Sequence, residues 1–180
     1  RLRVKMLTHI SQQNYFELFQ QPVEYKLNLT QLQENLRALQ KQFHPDNFAA
    51  QVQEQLNQAL AASSLINQAY TTLLQPLSRA IYLLQLHGIK LDLVHDTKFA
   101  PSFLFEQIEW REQISAAELE QDFDELEVIE KQLQAQSQRL ELQIEQLFGA
   151  KNYTEIGELV KQLAFYSKLE QLVSNILAQM

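Results

Sequence analysis

The sequence predicts an all-α protein of two helical units, an antiparallel helical hairpin with short flanking helices followed by a three-helix bundle. Three observations carry the prediction. Only three glycines and four prolines occur in 180 residues, far too few for the turns of a sandwich or barrel. Hydrophobic residues make up 46% and charged residues 21%, a globular composition, and a chain of this length can bury about 70% of its extended surface. Leucine and aromatic residues recur every three or four positions over long stretches, the period of an amphipathic helix.

Each element follows in order. Asn14 precedes Tyr15-Phe16-Glu17-Leu18-Phe19, a capped segment with room for about two helical turns before Pro22. Asn28 or Thr30 caps a second helix with the stripe Leu32, Leu36, Leu39 and Phe43, and Pro45 stops it by biasing His44 away from helical geometry. A third helix carries Leu56, Leu60, Ser63, Ile66, Asn67, Tyr70 and Leu73 or Leu74 and runs antiparallel to the second up to Pro76. A fourth spans 77–86 and closes at Gly88, suited to the left-handed position after a helix. Residues 88–101, with scattered apolar residues between Gly88 and Pro101, read as a connector.

Beyond it, residues 102–114 form a helix whose Phe103, Leu104, Phe105, Ile108 and Trp110 are too widely spread for one buried stripe, so some are expected in solvent. Ser115-Ala116-Ala117-Glu118 has capping-box spacing and opens a helix of about 50 Å up to Phe148. Asn152-Tyr153-Thr154-Glu155 repeats the pattern for a last helix with Leu159, Leu163, Tyr166, Leu169, Leu172 and Ile176. The two long helices and the shorter one make the bundle.

The net charge of −7 repels a phosphate backbone, and no nucleic-acid partner is expected. Residues 1–95 carry 8 basic and 6 acidic groups, residues 96–149 carry 4 and 13, and residues 150–180 carry 3 and 3, so the surfaces differ in character. Without cysteine there is no disulfide, thiol nucleophile or thiolate metal site. His9, His44, His87 and His95 form no helical pair with a completing carboxylate, so neither metal nor other cofactor is expected. No run of 18 apolar residues occurs; a cytoplasmic protein with no membrane partner is the expectation. Residues 1–13 read as an N-terminal extension, disordered or artificial.

Two groups of residues invite a chemical reading. Glu118, Glu120, Asp122 and Asp124 alternate around one helix, which fits a solvated face rather than a catalytic carboxylate pair. His44-Pro45-Asp46 stands at a turn between two helices, with Lys41 one turn before it. As turn chemistry, proline stops the helix and Asp46 caps or bonds its own backbone. As a contact, Asp46 offers an exposed carboxylate to a partner arginine. Spacing alone does not choose.

Asn14-Tyr15-Phe16, a basic helix into Phe43-His44-Pro45-Asp46, and Ile66-Asn67-Gln68-Ala69-Tyr70, in that order, resemble a J domain. Pro76-Leu77-Ser78-Arg79-Ala80-Ile81-Tyr82-Leu83-Leu84, then Leu86-His87-Gly88 and Phe103-Leu104-Phe105-Glu106-Gln107, narrow the resemblance to the HscB family of J-type co-chaperones in iron–sulfur cluster assembly. It covers residues 14–180. It implies a J domain at 14–87, a connector at 88–101 and a three-helix scaffold-binding domain at 102–180. The J domain would dock on a specialised heat-shock ATPase chaperone of the HscA type and stimulate it through His44, Pro45 and Asp46, with Arg37 and Lys41 meeting acidic chaperone surface. The bundle would hold a cluster scaffold of the IscU type through Leu104, Phe105, Ile108 and Phe165 with Glu109 and Glu112. The chain itself would hydrolyse nothing.

Asn47 departs from the family pattern where basic residues are common, and Ala164 where a longer residue is frequent. Two rivals compete with this reading: a generic helical adaptor in which the tripeptide is only a turn, and an enzyme using His44 and Asp46 as acid and base. For Phe105 and Ile108 the rival reading is burial against the bundle.

Overall fold

In the computed structural model, residues 9–50, 52–96 and 98–179 are described, and every regular element among them is helical. The chain divides into two compact units, one up to Leu86 and one from His87. Residues 1–8 of the expected N-terminal extension lie outside the described residues, whereas Ile10 is buried, so packed structure begins before Asn14.

The first unit contains α1 (Tyr15–Leu18), α2 (Leu29–Gln42), a 3-10 turn (Pro45–Phe48), α3 (Gln53–Leu74) and α4 (Pro76–Leu86). Helix α1 is one turn long, closed by a full capping box in which Asn14 and Glu17 exchange hydrogen bonds. It buries Phe16 and Leu18, with Phe19 buried just beyond its end, and its Tyr15 stacks on Tyr82 of α4 with centroids 4.3 Å apart while the Tyr15 amide donates to the Tyr82 hydroxyl. Asn28, rather than Thr30, caps α2 by accepting from the Gln31 amide. Helices α2 and α3 form the antiparallel hairpin.

The buried stripe of α3 is Ala59, Ala62, Ile66, Ala69 and Leu73, which corrects the leucine-led stripe predicted from sequence. Leu60 is exposed. Small alanines allow neighbouring backbones to approach closely, and hydropathy alone ranks them below leucine. Arg79, buried in α4, donates to the Leu73 carbonyl at the end of α3 and lies 5.0 Å from the Tyr25 ring centroid, so one cation caps a helix and holds a loop.

In the second unit, α5 spans Pro101–Glu120, α6 Phe123–Gly149 and α7 Tyr153–Gln179. This corrects the expected end of the first helix at residue 114 and the start of the next at Ser115. Ile114 and Ala117 are buried and draw the helix onward, and Ser115 stays exposed within it. The chain breaks at Gln121, whose φ of 55° is left-handed, while the Asp122 amide donates back to Ala117. Asp122 then caps α6 by accepting from the Glu125 amide. The four acidic residues therefore straddle a helix break and do not line one helix.

Helices α6 and α7 supply the core of this unit. Leu126, Ile129, Leu133, Ser137, Leu140 and Ile144 recur every three or four residues and pack against a stripe from Ile156 through Leu163 and Leu169 to Ile176. The one polar member of the α6 stripe, Ser137, donates to Glu170. Leu172, expected in the α7 stripe, is exposed. The segment after α4 lies along α7 at every fourth residue: His87 against Tyr153 with ring centroids 4.4 Å apart, Leu91 against Gly157, and Asp96 paired to Lys161 at 2.6 Å. Gly157 suits this contact because an added Cβ would stand 3.3 Å from the Leu91 side chain. No helix among the described residues is long and apolar enough to cross a membrane.

Replacing Asp122 with Ala is expected to cost about 1 kcal/mol in urea unfolding, as loss of an N-cap does, while Ser115→Ala leaves stability unchanged or slightly raised. Equal losses would contradict the observed break. The Lys161 hydrogen bond holds the Asp96 carboxyl below its ordinary value of 3.8. Its stabilising contribution is therefore complete above that value and fades as pH falls through the lowered pKa. Asp96→Asn should be less stable than wild type at neutral pH, and the two unfolding midpoints should converge in strong acid; parallel pH profiles would refute the linkage.

Candidate functional sites

The turn after α2 places His44 and Asp46 in solvent, with side chains 59% and 89% exposed. Its conformation is over-determined. Phe43 and Phe48 on either side of the tripeptide are buried, anchoring both ends. His44 Nδ1 accepts the Asp46 amide at 3.2 Å, so the imidazole closes the turn, a role expected of the Asp46 carboxylate. Asp46 Oδ2 stands 3.5 Å from Nδ1, and most of the carboxylate faces water. Pro45 fixes the first backbone torsion of the 3-10 turn.

Asn47, which the sequence marks only as a departure, has a structural task. Its amide donates to the Lys41 carbonyl at 2.8 Å, near the C-terminal end of α2, and ties the turn back to that helix. Arg37 and Lys41 are exposed one turn apart on α2. The Ile66–Tyr70 motif is structural: Ile66 and Ala69 are buried, Tyr70 packs on Phe19 with centroids 6.2 Å apart, and Asn67 accepts from Gln40 across the hairpin.

In the second unit, α5 has two distinct faces. Leu104, Phe105 and Ile108 are exposed at 43%, 68% and 54%, with Glu109 and Glu112 exposed beside them. At 100° per residue these five positions occupy an arc of about 140°. Phe103, Ile114 and Ala117 are buried on the other side, with Glu106 and Trp110 partly so. Phe105 and Ile108 are thus not core residues of the bundle. Phe165, grouped with them in the sequence reading, is 8% exposed on α7, edge-on to Phe103 at 5.5 Å, and the Arg111 guanidinium lies 5.9 Å from its ring centroid. The structure gathers Leu104, Phe105, Ile108, Glu109 and Glu112 on one surface and leaves Phe165 behind it.

An all-helical J domain followed by a C-terminal helical bundle is the architecture of a J-type co-chaperone. The comparisons specify the family. Residues 99–174 match the model of the HSCB C-terminal oligomerisation domain. The HscB homologue of a Neisseria meningitidis serogroup C strain is 36% identical over 163 residues, covering 91% of this chain and 98% of the relative. That of Psychromonas ingrahamii is 41% identical over 157 residues, 87% and 92% of the two chains. The crystal structure of human HscB superposes with a TM-score of 0.86 at 29% identity, covering 91% of this chain and 81% of the human one. HscB from Vibrio cholerae gives 0.84 at 33%, covering 93% and 99%. The chain belongs to the HscB co-chaperone family.

Asn47→Ala should lower the stability of the first unit by about 1 kcal/mol, the worth of one hydrogen bond, as measured by urea unfolding of the full chain. An unchanged midpoint would show that the turn holds without its tie to α2.

Proposed function

We propose that this protein binds an IscU-type iron–sulfur cluster scaffold, delivers it to an HscA-type ATPase chaperone in the cytoplasm and stimulates that chaperone's ATP hydrolysis, promoting maturation of iron–sulfur proteins. The observation that carries the reading is the exposed Asp46 carboxylate on a turn pinned by Phe43, Phe48 and Asn47, in a chain of this family. A carboxylate already held in place loses little conformational freedom when it forms a charge-assisted bond with a partner arginine. His44 and Pro45 shape the turn, while Arg37 and Lys41 extend the contact along α2 and steer an acidic partner surface. No proton transfer is assigned to His44, whose Nδ1 is engaged by backbone.

The scaffold is assigned to the outer face of α5. Leu104, Phe105 and Ile108 supply apolar area, Glu109 and Glu112 an acidic border, and Phe165 supports the face from beneath through Phe103. A contiguous exposed apolar strip beside acidic groups suits a partner that brings its own apolar patch with basic neighbours.

The test is steady-state ATPase of the purified chaperone, with the scaffold binding measured separately by calorimetry. Wild type should stimulate hydrolysis and Asp46→Asn should not, while both bind scaffold equally. Phe105→Ala should weaken scaffold binding by about 1–3 kcal/mol without unfolding the bundle, because the ring is exposed. If neither wild type nor Asp46→Asn stimulates the ATPase while both are folded, the chain is a helical adaptor and the tripeptide only a turn.

A further inference from the structure

Helix α5 carries apolar side chains on two opposite sides, so hydrophobic burial alone does not dictate which side faces the bundle. Its inner side meets a cluster around Tyr166 of α7. Tyr166 is 1% exposed, and its hydroxyl donates to the Glu106 carboxylate. Phe103 and Trp110 meet the Tyr166 ring edge-on, at 6.2 and 6.4 Å between centroids. Residues 103, 106 and 110 lie three and four apart, so α5 grips Tyr166 along a single line. Glu106 stands directly between Phe105 and Gln107, with Leu104 and Ile108 two residues to either side.

The phenol is well suited to this role. Burial first, and the Glu106 carboxylate second, push its pKa far above the ordinary 10.0, so it remains a proton donor. Turning α5 about its axis would break this bond and leave a polar hydroxyl buried without its acceptor, a cost that apolar contacts on the alternative face do not offset.

We infer that Glu106 and Tyr166 are positioning residues for partner binding: their hydrogen bond, bracketed by Phe103 and Trp110, sets the rotation of α5 and thereby presents Leu104, Phe105 and Ile108 as one surface. The inference rests on the assignment of that surface to the scaffold protein. Tyr166 is buried beneath that surface and Glu106 is turned toward the Tyr166 hydroxyl, so scaffold affinity depends on a bond made away from the exposed apolar side chains. Tyr166→Phe removes the hydroxyl, with its bonds to Glu106 and Trp110, and retains the ring packing.

The experiment uses the full chain and purified IscU-type scaffold, with affinity by calorimetry, emission of Trp110, the single tryptophan, in the free protein, and chaperone stimulation without scaffold. Tyr166→Phe and Glu106→Ala should each weaken binding about tenfold, the loss expected for a hydrogen bond to a charged group, and shift the Trp110 emission. The double variant should lose no more than either alone. Glu106→Gln, whose amide oxygen still accepts, should retain wild-type affinity and emission, and none of the variants should alter chaperone stimulation. Wild-type affinity in folded Tyr166→Phe and Glu106→Ala would overturn the inference while leaving the α5 surface intact. If Tyr166→Phe fails to fold, Glu106→Ala against Glu106→Gln decides: equal losses in the two would also overturn it. Absence of scaffold binding by wild type, or full binding by Phe105→Ala, would overturn the surface assignment itself and the inference with it.

Discussion

Helix α5 holds more apolar surface than one side of it can bury, and the second unit is organised around that surplus. The Tyr166 hydroxyl has its acceptor in Glu106, and the rings of Phe103 and Trp110 pack against Tyr166 along the same line. The side of α5 that bears Glu106 therefore faces the bundle, and the side that bears Phe105 remains in water. Burying a polar hydroxyl without a partner costs kilocalories, whereas choosing between two apolar faces costs much less. A single polar bond can thus arbitrate where hydrophobicity does not. The long seam between α6 and α7 supplies the rigid support, since Tyr166 belongs to a helix packed by branched aliphatic residues along its length.

The first unit applies similar physics to a short turn. Exposed charged residues normally sample many conformations, and the entropy of ordering them weakens any contact they make. Here Phe43 and Phe48 are buried on both sides of the tripeptide, Pro45 restricts its backbone, and the His44 ring and the Asn47 amide satisfy backbone groups that helix termination leaves open. The turn is exposed without being free. Arg79 does comparable work elsewhere in the unit, where a buried cation bonds the Leu73 carbonyl at the end of α3 and lies against the Tyr25 ring.

Much of this was legible in the chain. Low glycine and proline content, apolar spacing and separated motifs were enough for the all-helical class, the hairpin, the bundle and the family. Asn14 announced its cap, and the cap of α2 was narrowed to Asn28 or Thr30, because an N-cap is a local event, written within three residues. The boundary between α5 and α6 was not legible. Ser115-Ala116-Ala117-Glu118 and Asp122-Phe123-Asp124-Glu125 both have capping spacing, and the burial of Ile114 and Ala117 decides between them. The α3 stripe was misassigned for a related reason: alanine is selected by how closely another backbone approaches, a distance that the chain does not spell out.

The sequence by itself determined which segments become helices, where the conspicuous turn falls and which residues on α5 are apolar, because these depend on interactions within a few residues. Tertiary structure alone decided that Phe105 and Ile108 are exposed while Phe165 is enclosed, that Asn47 ties a turn to its helix, and that Glu106 meets Tyr166 across 60 positions. Asn47 could be suspected from its place after the tripeptide. The Glu106–Tyr166 pair carries no local signal, because both residues are common on helices and only the packing of α5 against α7 brings a carboxylate to a buried hydroxyl.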